Sequence, residues 1–404
     1  MTGQDLTVAR IESLESVSAS AWNALVRDEN PFLKHEFLAA LERHDCVGER
    51  WGWFPEHLIA LERRRGEDVL VGAVPRYRKT NSYGELVFDH AWAEAHHRHG
   101  LAYFPKQVVA VPYTPATGQR LLLEDSEAGS RAGDALIRQA LEDARERGVS
   151  SQHWLFPDEA DKARLESHGF FSRMGCQFHW RNRGWTDFDE YLDSLTSKKR
   201  KNIRRERRLV RESGVRLEVR HGGEMSEALW TVFHDFYRST FARKGGYATL
   251  SLAFFREIGR TLPEQVIVVL ARYGDEYIAG SLMFRSKDTL YGRHWGASHA
   301  VDGLHFEACY YQGLEYCLRH GLQSFEPGAQ GEFKISRGFL PVRTWSCHWL
   351  ARPEFHAAIE RYSAHEGEMV DEYMQDLDAC SPFKRPFKRP FKWPFKWPFK
   401  WETP

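Results

Sequence analysis

Residues 267–295 read IVVLARYGDEYIAGSLMFRSKDTLYGRHW, and residues 58–89 read LIALERRRGEDVLVGAVPRYRKTNSYGELVFD. Each stretch alternates apolar and polar positions, turns at a Gly/Asp/Glu cluster, continues through a strand that holds a Gly, and restarts at a Tyr-Gly pair. The pairs are Tyr83-Gly84 and Tyr291-Gly292. Alternation broken by short turn clusters is the signal of an antiparallel meander, so both stretches predict consecutive strands.

Two further matches follow in the same order. QALEDARERGVSS from Gln139 and QGLEYCLRHGLQS from Gln312 read as helices ending at Gly148 and Gly321. Only glycine takes the left-handed backbone after a helix without a Cβ penalty. Both lead into short apolar segments, HWLF from His153 and FEPG from Phe325. Gly169-Phe170-Phe171 then precedes His179-Trp180 by the same separation that parts Gly338-Phe339-Leu340 from His348-Trp349. Three matches in one order mean a duplicated unit. Meander, helix, strand and closing strand make an α+β plan, with helices on both faces of a mostly antiparallel sheet.

That order resembles the acyltransferase core of the GNAT superfamily. The resemblance implies two tandem GNAT-like domains, over 1–185 and 186–378. An aromatic- and Pro-rich insertion spans roughly 93–123 of the first. The stretch 186–264 predicts two helices, one ending near Gly214 and one from about Ser226 to Arg243. From Pro382 the chain repeats PFKR, PFKR, PFKW, PFKW, PFKW. Proline at every fourth position blocks both helix and central strand, so 379–404 is expected to be an extended or disordered basic-aromatic tail outside the working body.

A chain of 404 residues is too long for one ordinary core and suits two. Lys+Arg and Asp+Glu both number 56, so net charge neither points to nor excludes a nucleic-acid partner. The six cysteines form no C-x-x-C pair, which excludes a zinc ribbon and points to free thiols in a reducing compartment. The N-terminal MTGQDLTVARIESLES has no apolar run like that of a secretory leader. No apolar stretch approaches the ~20 residues of a membrane helix. A cytoplasmic location without stable membrane insertion is the expectation. His96, His97 and His99 have no second ligand pair at metal-site spacing, so no metal is expected.

Lys334 is the first candidate for chemistry. It follows Glu326-Pro327-Gly328-Ala329-Gln330-Gly331-Glu332-Phe333, a run whose glycines let backbone approach a ligand closely. A lysine held there can supply positive charge where an acyl-transfer intermediate develops an oxyanion. The matching place in the first copy, Arg164-Leu165, lacks the lysine, so the second copy is expected to be catalytic and the first degenerate. Glu326 can take the proton of an attacking amine, or pair with Lys334 or Arg337. Arg293 and Trp295 should share one strand face with His294 on the other. His305 and Glu307 open the next helix, where free N–H groups favour an anion or a carbonyl oxygen; packing or capping is the alternative for His305. Tyr310 reads as a core residue or a general acid. Arg293, Trp295, His305, Glu307 and Tyr310 are therefore the substrate-binding candidates.

The run Lys198 to Arg208 holds eight cations and one acid, Glu206. In a helix Lys201, Arg204, Arg205 and Arg208 line one face, and with Lys198 they suit the phosphates of RNA, a nucleotide or coenzyme A.

At these residues the chain resembles the FemAB-like family. The likeness rests on NPFLKHEFLAALE (30–42), SYGELVFDHAWAEA (82–95), VPYTPATGQRLL (111–122), KKRKNIRRER (198–207), YGRHWGAS (291–298), LHFEACYYQGLEY (304–316) and FEPGAQGEFKISRGFLPV (325–342). It implies acyl or aminoacyl transfer onto an amine acceptor, a link to peptidoglycan, and no tightly bound cofactor. More distantly the chain is similar to Fem ligases, which move amino acids from tRNA onto peptidoglycan precursors. Those ligases carry a Phe-Lys with a Gly shortly after, as do Phe333-Lys334 and Gly338. In them the lysine is associated with the transferred carbonyl. The GNAT pyrophosphate loop [QR]-x-x-G-x-[GA] is missing, with Arg293–Ser298 a near miss, which ranks acyl-CoA behind aminoacyl-tRNA as donor. The opposing expectation is a non-catalytic GNAT scaffold that grips RNA or another polyanion by its basic helix.

Overall fold

The structure is a computed structural model that describes residues 6–329 and 331–384. The repeats from 385 onward therefore lie outside the described residues. In chain order the strands are β1 (Leu6–Ile11), β2 (Trp53–Pro55), β3 (His57–Arg64), β4 (Glu67–Val74), β5 (Arg76–Lys79), β6 (Lys106–Val109), β7 (Leu122–Leu123), β8 (Ser151–Leu155), β9 (Phe171–Arg181), β10 (Val215–His221), β11 (Val266–Tyr273), β12 (Glu276–Arg285), β13 (Thr289–Ala297), β14 (Ser324–Glu326) and β15 (Leu340–Leu350). The chain divides into two compact units, Met1–Cys176 with Arg343–Asp371, and Gln177–Val342 with Glu372–Pro404. The sequence-based boundary at 185/186 had not anticipated that each unit is made of two chain segments.

In the first unit, β1-β3-β4-β7 form one antiparallel sheet, and β2, β5, β6, β8 and β15 lie side by side in another. Helix Glu127–Glu146 covers β3 and β4 with a stripe of Ala128, Ala132, Leu136, Ala140 and Ala144, the spacing of one helical face. Ser126 caps its start by accepting from Gly129 N at 3.1 Å. Gly148 follows its end at φ +61°, as the repeat predicted.

The second unit orders its strands β10-β11-β12-β13-β14-β9. β10 to β13 are antiparallel, β13 and β14 are parallel through Leu290↔Phe325, and β14 pairs with β9 through Phe325↔Trp180. Both faces are covered. Ile267, Val269 and Met283 join a core with Tyr310, Tyr311, Leu314 and Phe339. On the other face helix Glu227–Lys244 comes so near that a Cβ on Gly296 would lie 1.9 Å from Phe236 O.

The duplication is visible in topology. The parallel step β6–β8 answers β13–β14, and an antiparallel closing strand follows each. Two expectations need correction. Tyr83-Gly84 opens no strand, because Asp89 precedes helix His90–Arg98; the counterpart of β13 is β6, inside the supposed insertion. The closing strands are also exchanged. β8 pairs with β15 through Cys347↔Trp154, whereas β9 supplies Trp180 to the second unit. The prediction of two helices across 186–264 is met at Ser197–Glu212 and Glu227–Lys244, with Phe188–Ser194 and Leu252–Thr261 in addition.

Candidate functional site

Glycines shape the turn that carries Lys334. Gly328 (φ +97°), Gly331 (φ +114°) and Gly338 (φ +81°) take left-handed backbone around the single 3₁₀ segment Glu332–Arg337. Lys334 is turned inward and 2% exposed, with Nζ donating to Gly328 O at 2.6 Å. Burial pulls its ammonium down to about 7, only partly opposed by Cys309.

An aromatic group surrounds this turn. Tyr310 lies 5.5 Å from His305, 6.0 Å from Phe333 and 5.6 Å from Phe339, between ring centroids. His305 is held down to about 4, first by burial and then by Arg337, Lys244 and Lys334. It therefore stays neutral at neutral pH. Its ring is 5.4 Å from Trp295. Both line a cleft of about 250 Å³ with Arg243, His299, Asp302 and Leu304.

The helix 304–320 contains a π-helical turn at Glu307–Tyr311. Such turns are frequent at functional sites. Here it aims Glu307 and Tyr311 at helix Ser197–Glu212. Arg207 grips Glu307 through Nε (3.1 Å) and Nη2 (3.0 Å), and reaches Glu315 through Nη1 (2.7 Å). One residue earlier, Glu206 receives both carboxylate contacts from Arg337 Nη2 at 2.9 Å and a short hydrogen bond from Tyr311 Oη. Arg337 also donates to Tyr311 Oη at 3.0 Å and lies 3.5 Å over the Phe306 ring.

This geometry sorts the candidates. Lys334, His305, Tyr310 and Trp295 gather within one neighbourhood of the second unit. Arg337 and Glu307 sit close by, but both are engaged in ion pairs that brace the helix. Glu326 ends β14, with Oε1 3.8 Å from His179 Nδ1. Arg293 is half-buried, and burial lowers its guanidinium to about 10. The expected shared face of Arg293 and Trp295 fails at a bulge. Register runs from Leu282↔His294 to Met283↔Gly292 and skips Arg293, so strict alternation does not pass through it.

The basic helix forms as predicted. Ile203, Glu206, Arg207 and Val210 face inward, while Lys198, Lys201, Arg204, Arg205 and Arg208 are exposed. Arg204 lies 3.7 Å from Asp189 and Arg208 3.7 Å from Glu212, whereas Lys198, Lys201 and Arg205 make no ion pair among the described residues. Glu206, Arg207 and Tyr311 were missed as parts of the site. The signal for Glu206 was available, as the lone acid in a basic run, placed three residues after the buried Ile203. Among the described residues no cluster of three or more His, Cys, Asp or Glu could hold a metal ion.

A crystal structure of FemX superposes with a TM-score of 0.53 at 12% identity, covering 87% of this chain and 100% of that one. L-PGS from Bacillus licheniformis gives 0.46 at 14% identity, over 63% of this chain and 82% of that one. A tandem GNAT protein from the clavulanic acid biosynthesis pathway gives 0.44 at 14%, over 86% and 99%. A search of curated proteins finds no match. At these identities the likeness concerns the fold. The family model for FemAB-like proteins, described by peptidoglycan biosynthesis/recognition, matches residues 13–385, and this chain belongs to that family.

Proposed function

We propose that the second unit transfers an acyl or aminoacyl group onto an amine, with Lys334 as the cation that meets the carbonyl oxygen. The observation that carries this reading is a lysine 2% exposed, on a turn beside an aromatic cluster, whose ammonium donates to a backbone carbonyl of its own loop. Poor solvation strengthens the charge it can offer to an oxyanion. The donor carbonyl exchanges places with Gly328 O at Nζ. The amine attacks, its proton passes to Glu326, and the donor's oxygen or sulfur leaves with a proton as the amide forms. His305, Trp295 and Tyr310 hold the transferred group. Lys198, Lys201, Arg204, Arg205 and Arg208 take the donor's phosphates.

Family membership supports a peptidoglycan precursor as the amine acceptor, and aminoacyl-tRNA ranks before acyl-CoA as donor. The protein is incubated with each donor and a cell extract, and new amides are read by mass spectrometry. Lys334→Ala should abolish transfer while circular dichroism stays unchanged. Undiminished product from a folded Lys334→Ala protein would remove the mechanism.

Lys198, Lys201 and Arg205, exposed and without an ion pair among the described residues, favour one rival, a non-catalytic polyanion binder. Filter binding with charged and uncharged tRNA separates the two. Affinity that ignores the aminoacyl group and tracks only salt supports the rival.

A further inference from the structure

The first of the C-terminal repeats is seated in the second unit. Pro382 O accepts from Thr196 N at 2.9 Å, and Lys384 N donates to Ser194 O at 2.9 Å, closing an antiparallel bridge between Leu195 and Phe383. Phe383 is 7% exposed. Its ring stacks on Trp185 (centroids 5.6 Å apart, planes at 14°), and the Arg183 guanidinium lies 4.4 Å over it. The turn presenting Arg183 and Trp185 is itself fixed, since Asn182 Oδ1 accepts from Gly184 N (3.0 Å) and Trp185 N (2.9 Å). Phe383 approaches Gly338 so closely that a Cβ there would lie 3.1 Å from Cζ.

What this seat reads is short. It needs a phenylalanine ring, a carbonyl before it and an amide after it. The residue before the ring is asked for no N–H, which proline satisfies. The Lys384 side chain is exposed and takes no part. The same three requirements are met again at Phe387, Phe391, Phe395 and Phe399, each preceded by Pro and followed by Lys.

We propose that the Trp185 seat is a recognition site for a Pro-Phe unit, and that any of the chain's five repeats can occupy it in the same molecule. Moving the docked unit from Phe383 to Phe387 only lengthens the connection from the preceding helix by four residues. The entropic cost of such lengthening grows with the logarithm of loop length. Tethering keeps each repeat at millimolar effective concentration, which excludes capture by a second molecule at ordinary protein concentrations. The tail is thus a set of interchangeable plugs.

The test uses the full chain and no turnover measurement, so it stands or falls apart from the transferase reading. Phe383→Ala should leave the thermal midpoint within about 1–2 °C of the parent, because the next repeat takes the seat. Replacing all five repeat phenylalanines by Ala should lower it by about 5–10 °C, or prevent folding. Hydrogen exchange supplies a direct reading. In Phe383→Ala the slow amide should move from Lys384 to Lys388, four residues on. Failure of Phe383→Ala to fold, a loss as large as that of the fivefold variant, or no transferred protection would each overturn the proposal. A fivefold variant as stable as the parent would overturn it too.

Discussion

In the proposed transfer, Lys334 is the residue whose charge state decides the chemistry. Its ordinary titration near 10.5 is brought to about 7 by burial. As an oxyanion partner it works in the charged form, so kcat/KM should fall as pH rises through about 7. The attacking amine must be neutral, which gives the opposing acid limb. Lys334→Arg cannot lose its charge in this range, and should flatten the alkaline limb while lowering the rate. An unchanged alkaline limb in Lys334→Arg would show that another group sets it. Glu206, the one acid of the basic run, has a structural part. Arg337 is buried, and Glu206 neutralises it. Glu206→Ala strands that guanidinium and should cost about 3 kcal/mol, seen as a lower urea midpoint for the second unit's tryptophan fluorescence.

Among the elements, the turn Glu332–Arg337 and helix Ser197–Glu212 matter most. The turn ends at Gly338, where φ is +81° and a Cβ would lie 2.9 Å from Tyr191 Oη. Gly338→Ala therefore meets both backbone strain and a steric clash. It should cost about 1–3 kcal/mol, measurable by chemical denaturation. The loop itself was legible, because Gly328 and Gly331 ahead of Lys334 announce a close-approaching backbone. The helix was legible as well, but not its division of labour. The stripe of Lys201, Arg204, Arg205 and Arg208 is exposed as read, whereas Arg207, outside it, turns inward, because Glu307 and Glu315 on the neighbouring helix outweigh the cost of burying it. Partner carboxylates about a hundred residues away leave no mark in a local window. The bulge at Arg293 is invisible for the same reason, since only the register against β12 reveals it.

For the whole molecule the exchanged closing strands have a direct consequence. A fragment ending at Gly184 or Trp185 would match the boundary read from sequence. It would lack Arg343–Asp371, and β8 would lose β15. An unpaired strand edge of that kind associates with other chains. The fragment 1–185 should therefore aggregate or lack a cooperative transition, as judged by size-exclusion chromatography and thermal melting. Adding 343–371 through a linker should restore solubility. A soluble, cooperative 1–185 would contradict the exchange.

By itself the sequence determined the duplication, the α+β plan, the basic helix, the glycine-bounded lysine turn and the family. All of these rest on local periodicity, on backbone freedom at glycine, or on motifs that keep their order along the chain. Tertiary structure alone decided which closing strand serves which unit, and that β6 replaces the expected strand at Tyr83. It also decided that Lys334 faces inward and that Phe383 has a seat. Strand pairing and burial depend on partners far apart in sequence, so residue order does not encode them until the chain is folded.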